Sequence, residues 1–175
     1  MGRDAEPFVG RFYSTEDVRL QPTPAQPGGP AIWIGSWGSD AGLRRVARLG
    51  DGWLASAYNT TPEMFADARA RLAGYLSTHR KDAGAFPNGL ATMWFYITEN
   101  RAEADRVLQQ RLAPVIHRPE SVLRERLPVG GAASFAEKLD AFRTAGLQRV
   151  LIWPVADEQR QLELFCEKVR PSLNE

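Results

Sequence analysis

Residues 32–58 place two short apolar segments on either side of an amphipathic one, which constrains the fold more than any other part of the sequence. The apolar segments predict strands at 31–35 and 53–55. The residues between them, 39–49, predict a helix that ends at Gly50. Two strands joined through a helix run parallel, because the crossover returns the chain to the same end of the sheet. The segment is therefore a predicted βαβ unit.

The alternation of strands and helices continues along the chain. Thr61-Pro62 predicts the start of a long helix, since proline fits the first helical turn. Aromatic and β-branched residues predict a strand at 90–98 and another at 149–153, the second ended by Pro154. A helix is expected at 102–112, and residues 114–128 are expected to be irregular or short-helical.

Two further helices are predicted near the C-terminus. Ser134 and Glu137 have the spacing of a capping box, which predicts a helix start at Ser134 and an end at Gly146. The final helix is expected to begin near Asp157. The residues with the spacing of its buried face are Leu162, Phe165, Cys166 and Val169.

Four strands alternating with helices predict an α/β fold of parallel βα units. The strands lack a polar alternation, as expected where both faces of a parallel sheet are buried. Four such units fit either a small open sheet or half of a (β/α)8 barrel. Residues 31–175 form this predicted domain. Residues 1–30 contain five prolines and a Gly-Gly pair, and they predict a Pro/Gly-rich extended arm.

The composition argues against several classes of function. The 22 basic and 21 acidic side chains nearly balance, so no broad field favours nucleic acid. Cys166 is the only cysteine, and the two histidines have no accompanying ligand pattern, so neither a disulfide nor a metal site is expected. No apolar run approaches the ~20 residues of a membrane helix. We therefore expect a cytoplasmic protein without nucleic-acid or membrane partners.

The loop at residues 35–42 joins the first predicted strand to the first predicted helix. The unpaired N–H groups of a helix's first turn and the positive end of its dipole point to one spot, where anions bind. The loop therefore favours a phosphate-bearing ligand. The structural alternative is a tight connection in which Ser39 only caps the helix.

Two other segments are candidate sites. Ser56, Tyr58 and Asn59 follow the second predicted strand, at the end of the strands where (β/α) folds bind ligands. These three residues are predicted to line a pocket, although an ordinary polar loop would also explain them. Gly130-Gly131 precedes a predicted helix and is a second candidate anion site, with a simple glycine turn as the alternative.

Four segments of the chain resemble the C-terminal half of the luciferase-like monooxygenases. They are QPGGPAIWIGSWGS, GLRRVARLGDGWLAS, VGGAASFAEKLDAFRTAGLQRVLIWP and RQLELFCEKVRP. The segments occur in consistent order over nearly the whole chain. The resemblance implies strands 5–8 of a (β/α)8 barrel without strands 1–4.

The resemblance also implies a cofactor and an activity. It implies a flavin-dependent oxidoreductase that uses reduced FMN or the deazaflavin coenzyme F-420 on a small organic substrate. Serine hydroxyls would donate to the cofactor phosphate, and glycines would allow it to approach the backbone. Asp40 is a departure, because a carboxylate turned inward would repel phosphate. No catalytic residue is assigned. The residues implied to bind the cofactor are Gly35, Ser36, Gly38, Ser39 and Gly42.

A rival hypothesis is a non-catalytic, self-associating half-barrel, or a truncated fragment, that keeps the fold and phosphate binding. In every case the predicted strands at 31–35 and 149–153 are edges with unpaired backbone groups. We expect a second copy to cover them in a two-fold homodimer. Another chain that supplies the missing half-barrel, or the N-terminal arm, is the alternative cover.

Overall fold

The computed structural model describes residues 7–16, 18, 21–22 and 24–173. Backbone contacts divide the chain into two compact units, Met1–Ile32 and Trp33–Glu175. In the first unit, Val9 and Ser14 form an isolated antiparallel bridge. The domain bounds of 1–30 and 31–175 stay a prediction.

The second unit contains a sheet of parallel strands. Strand β2 lies between β1 and β3, and β3 also pairs with both β4 and β5. Strand β5 pairs with β3 from Leu90 to Phe95, whereas β4 pairs only with its last two residues. The predicted α/β fold of parallel βα units is confirmed. The strands are β1 (Trp33–Gly35), β2 (Gly52–Ser56), β3 (Asn88–Ile97), β4 (Val129–Gly130) and β5 (Val150–Pro154).

Helices connect successive strands. The longest is the second, which Thr61 caps by accepting a hydrogen bond from the Met64 backbone N–H. π-helical turns at Leu108–Leu112 and Phe165–Val169 follow α3 and α7. The helices are α1 (Asp40–Leu49), α2 (Pro62–Thr78), α3 (Arg101–Val107), α4 (Ala113–Ile116), α5 (Glu120–Arg126), α6 (Ala132–Thr144) and α7 (Glu158–Leu164), with 3-10 turns at Ala57–Asn59 and Arg170–Leu173.

Some predicted boundaries were wrong for local reasons. Helix α6 begins at Ala132, with Gly131 as the N-cap and no side-chain cap. The capping box predicted at Ser134 is therefore absent, because the chain passes from β4 into the helix before it reaches that residue. Pro154 is the last residue of β5 rather than the residue that stops it.

The buried face predicted for the last helix is confirmed at Val169, which is fully buried, and at Phe165, which packs against the core, but it was wrong at Leu162 and Cys166. Leu162 is 43 % exposed and Cys166 is exposed, whereas Gln161 is buried. Two hydrogen bonds explain this orientation: the Gln161 side chain accepts from the Ile97 N–H at 2.6 Å and donates to the Ile97 carbonyl at 3.2 Å. The π-helical turn after α7 then changes the helical period, which removes Cys166 from the buried face.

Helices cover one face of the sheet with an aromatic core. The Trp53 ring on β2 stacks on Phe65 of α2, with centroids 4.8 Å apart, and Phe65 meets Phe142 of α6 edge-on. Farther along the sheet, Phe95 of β3 packs on Phe135 of α6 with centroids 5.3 Å apart. Buried aromatic rings in contact with one another add stability beyond the area they bury.

The opposite face of the sheet is open to solvent. The Trp33 ring lies over two glycines, since a Cβ would come within 2.6 Å of it at Gly52 and 3.1 Å at Gly89. Trp94 and Trp153 form an edge-to-face pair with centroids 5.0 Å apart. Side-chain alternation and strand register place five large apolar residues here, and we call them the open face. They are Trp33, Leu54, Trp94, Leu151 and Trp153.

We expect Phe65→Ala to lower the free energy of unfolding by about 3–5 kcal/mol, because it removes a buried ring that contacts two other rings. Urea denaturation measures this loss. The control is Met64→Ala on the same helix, where the side chain is 45 % exposed. Equal losses in the two variants would contradict the helix-covered core.

Candidate functional site

The carboxyl ends of the parallel strands bring the candidate residues to one edge of the sheet. The loop at residues 35–42 leaves β1 at this edge, and Ser56, Tyr58 and Asn59 leave β2 beside it. The Ser36 N–H donates to the Leu54 carbonyl at 3.0 Å, which fixes the start of the loop against β2. Both groups predicted from the sequence therefore lie at the ligand-binding end of this kind of fold.

The loop at residues 35–42 is held by its own hydrogen bonds. The buried Ser36 hydroxyl accepts from the Gly38 N–H at 3.3 Å, and the Ser36 carbonyl accepts from the Trp53 indole N–H at 3.0 Å. Ser39 is the N-cap of α1, where its hydroxyl accepts from the Gly42 N–H at 3.3 Å. The loop is thus ordered before any ligand arrives.

Two glycines of the loop are required by its geometry. Gly38 has a φ of +90°, in the left-handed region that favours glycine. At Gly42 a Cβ would lie 2.2 Å from the Ser36 Oγ, a distance that no real contact tolerates. The Gly42 backbone and the Ser36 hydroxyl therefore lie closer together than a residue with a side chain at position 42 would allow.

Arg71 of α2 neutralises the carboxylate that the sequence places in this loop. Its guanidinium lies 2.6 Å from the Asp40 carboxylate and donates to the Gly38 carbonyl at 2.9 Å. It also contacts Asp67 at 3.0 Å, four residues earlier on the same helix. The hydrogen bond from Arg71 lowers the pKa of Asp40. Asp40 therefore stays ionised but points toward Arg71.

The first turn of α1 can receive an anion. The N–H groups of Asp40 and Ala41 stand in the first helical turn, where an α-helix offers them no internal acceptor. The helix dipole adds a positive partial charge at the same place. Because Asp40 is paired with Arg71, its carboxylate repels a phosphate at this position less strongly.

Ser56 and Asn59 belong to a directed chain of hydrogen bonds. Arg118 donates to the side-chain oxygen Oδ1 of Asn59 at 3.1 Å, and the side-chain amide nitrogen Nδ2 of Asn59 donates to the Ser56 hydroxyl at 3.3 Å. Because the Thr92 hydroxyl donates to the Ala91 carbonyl at 2.6 Å, Ser56 supplies the proton in its 2.9 Å bond to Thr92. Ser56 and Asn59 are each 8 % exposed, so both side chains are buried where β2 ends.

Thr92 stands in a strained backbone conformation within β3. Its φ is +58°, which is uncommon for a β-branched residue, and the pairing with β5 shifts register between Leu90 and Met93. Such bulges redirect side chains and are frequent beside functional sites. Here the bulge brings the Thr92 hydroxyl to Ser56.

Tyr58 is placed differently from its two neighbours. Its ring is half-buried and packs against the hydrophobic core, and its carbonyl accepts from Arg126 at 3.2 Å. At the other candidate anion site, the Glu99 carboxylate lies beside Gly131. One of its oxygens would be 2.9 Å from a Cβ at Gly131. That placement argues against an anion at Gly130-Gly131.

Three residues of the site were missed by sequence reasoning. Arg71, Thr92 and Arg118 are joined to it only by contacts between residues 31 to 59 positions apart. Among the described residues, no group of three or more His, Cys, Asp or Glu side chains is placed to hold a metal ion. Within the same residues, no helix has the length and apolar character needed to cross a membrane.

A family model described as luciferase-like monooxygenase matches residues 2–169 of the chain. No match was found among curated proteins. Solved structures with the same fold include an F-420-dependent secondary alcohol dehydrogenase in complex with an F-420–acetone adduct. It is 13 % identical, with a TM-score of 0.77, and the match covers 97 % of this chain and 56 % of that chain.

Two further solved structures extend this likeness. A monooxygenase from Streptomyces bottropensis is 19 % identical with a TM-score of 0.68, and the match covers 94 % of this chain and 55 % of that one. The oxygenating constituent of 3,6-diketocamphane monooxygenase from Pseudomonas putida, in complex with FMN, is 15 % identical with a TM-score of 0.57. There the match covers 96 % and 58 %. The chain thus spans little more than half the length of the structures it resembles.

We expect Gly42→Ala to destabilise the protein by about 1–3 kcal/mol, because the new methyl group overlaps the Ser36 hydroxyl. Removing that hydroxyl with Ser36→Ala should recover part of the loss. Urea denaturation of the two single variants and the double variant measures the coupling. Strictly additive losses would contradict the close approach of these two residues.

Proposed function

Because this chain belongs to the luciferase-like monooxygenase family, we propose that it binds reduced FMN or coenzyme F-420 and supports the oxidation of a small organic substrate. The observation that carries this proposal is the preformed loop at residues 35–42, with its carboxylate paired to Arg71. Solved structures of the same fold, described with F-420 or FMN, support the choice of cofactor class.

The loop fits a terminal phosphate. Two first-turn N–H groups and the Ser39 hydroxyl lie at the N-terminus of α1. Gly38 and Gly42 let the loop pack closely against Ala68 and Ser36. Gly35 is exposed and begins the loop, while the Ser36 hydroxyl is buried and holds its turn. Ser36 is therefore proposed to shape the cradle, and Ser39 to contact the phosphate.

The substrate is proposed to lie beside the ends of β2 and β3. Ser56 and Asn59 would form the base of this substrate pocket. The exposed Arg118, at the outer end of their hydrogen-bond chain, would present its guanidinium to the substrate. Bound reduced FMN would activate dioxygen, which is then the oxidant, whereas bound oxidised F-420 would accept a hydride from the substrate. This chain's residues hold the phosphate, orient the ligand and exclude water from one side.

The proposed pocket needs further strands, since the chain spans little more than half the length of the structures it resembles. We propose that a second copy supplies them, which makes the working form a homodimer with a small-molecule substrate. The balanced charge and single cysteine favour the cytoplasm as the place where it acts.

Comparison of FMN with riboflavin, which lacks the phosphate, tests phosphate binding at this loop. We expect FMN to bind at least about tenfold more tightly, because charge-assisted hydrogen bonds each contribute roughly 1.5–3 kcal/mol. Fluorescence titration of each compound gives the two dissociation constants. The same titration with coenzyme F-420 shows which cofactor is preferred.

Two variants of Ser39 test whether the FMN phosphate binds at this residue. Ser39→Asn and Ser39→Asp both keep a good N-cap, but only the second adds a negative charge at the proposed phosphate site. Ser39→Asp should weaken FMN binding and leave riboflavin binding unchanged, whereas Ser39→Asn should affect FMN less. Equal FMN affinities for the two variants would place the phosphate elsewhere. Absence of any cofactor binding would favour a non-catalytic half-barrel.

The pairing of Asp40 with Arg71 generates a separate prediction. In Arg71→Gln the Asp40 carboxylate loses its 2.6 Å partner, so FMN affinity should fall. Adding Asp40→Asn to that variant should recover part of the affinity, because the unpaired charge is removed. Fluorescence titration of the four proteins measures this. If Asp40→Asn has the same effect with and without Arg71, the proposed neutralisation is wrong.

A further inference from the structure

We propose that two copies of this chain close a single parallel barrel of eight strands, namely β1, β2, β3 and β5 of each copy, in which β1 of each copy pairs with β5 of the other. The proposal rests on the proposed function in one respect only, that the second copy completes the cofactor pocket. Its geometry comes from the two edges of the sheet and from the open face.

Among the described residues, β1 and β5 are outer strands of the sheet, and the two-residue β4 pairs only with the last two residues of β3. The pairing partner of β1 there is β2, and the partner of β5 is β3. Each of these two strands therefore has one side without a strand partner among those residues, and every pairing in the sheet is parallel. Exposed strand edges of this kind are templates for pairing with another chain.

The open face needs a cover as much as the edges do. Leu151 and Trp153 on β5 are 45 and 38 % exposed, and they continue the apolar surface formed by Trp33, Leu54 and Trp94. Parallel sheets are otherwise buried on both faces. A contiguous apolar surface rimmed by polar strand ends marks a site of association.

Strand direction selects the arrangement of the two copies. A two-fold axis parallel to the strands keeps all strands pointing the same way, so β1 of each copy meets β5 of the other as a parallel neighbour. This arrangement makes two identical seams and leaves neither β1 nor β5 as an edge. A two-fold axis perpendicular to the strands would pair β1 with β1 antiparallel and leave both β5 edges exposed. The first arrangement is therefore the closed one.

The sizes of the residues on the open face suit closure of a barrel. The Trp33 ring already lies over Gly52 and Gly89, where side chains are absent, and the Arg149 guanidinium lies 5.4 Å from its centroid. Large and small positions thus alternate on this face, as they do inside small barrels. The match covers 55–58 % of the structures compared, so a second copy would bring a similar length of chain.

Closure would place the cofactor loop at the subunit interface. The carboxyl ends of parallel neighbours lie at the same edge, so the end of β5 from one copy would flank the loop at residues 35–42 of the other. Residues of both copies would then line each of the two proposed phosphate sites. The cofactor site is incomplete in a single copy for this reason.

Sedimentation equilibrium of the full chain over a range of concentrations tests the dimer. Leu151→Lys places a charge on the open face and should raise the dimer dissociation constant at least tenfold, since burial of one leucine is worth roughly 1.5–3 kcal/mol. The matched control is Leu162→Lys on α7, where the leucine is 43 % exposed on the helix layer. It should leave the dimer intact.

Hydrogen exchange of the wild-type protein at high and low concentration tests the seam. We expect amides of β1 and β5 to gain protection together as the dimer forms. A monomer at all concentrations, a dimer equally weakened by both lysine variants, or protection confined to other elements would each overturn the proposal. FMN binding is measured separately, so a dimer that binds no cofactor would refute the proposed function and leave the barrel closure standing.

Discussion

Parallel sheets are normally buried on both faces, and the helices among the described residues cover only one. The aromatic stack of Trp53 on Phe65 belongs to the covered side, while Leu151 and Trp153 remain on the uncovered one. This imbalance leaves large apolar side chains exposed on the sheet whose strand ends carry the candidate site.

The cofactor loop combines rigidity with an unusual charge arrangement. Ser36 fills the space that a side chain at Gly42 would take, and the loop is thereby ordered without a ligand. A carboxylate in the first helical turn stabilises the helix N-terminus but competes with a bound anion. Arg71 resolves this conflict, because it pairs with Asp40 while also holding the Gly38 carbonyl.

Local signals in the sequence predicted the fold well. The caps at Ser39 and Thr61, and the helical spacing after each of them, located α1 and α2. The errors occurred where distant contacts decide the structure. Gln161 is buried because its amide satisfies the backbone of Ile97, and no helical periodicity reveals that bond.

At the candidate site, too, local features could be predicted from the sequence and distant contacts could not. The loop at residues 35–42 and the strand end at Ser56 and Asn59 were identified from the sequence as candidates, since position along the chain is enough to place them. The bulge at Thr92 and the guanidinium of Arg118 depend on the tertiary fold. A residue at positive φ within a strand has no signature in a single sequence when it is not glycine.

The most direct test of the account is a crystal structure of the full chain grown with FMN. The account predicts two copies in one eight-stranded barrel, with each phosphate on the Ser39 hydroxyl and the first-turn N–H groups of α1. A single copy with its open face bare, or a phosphate bound away from residues 35–42, would contradict it.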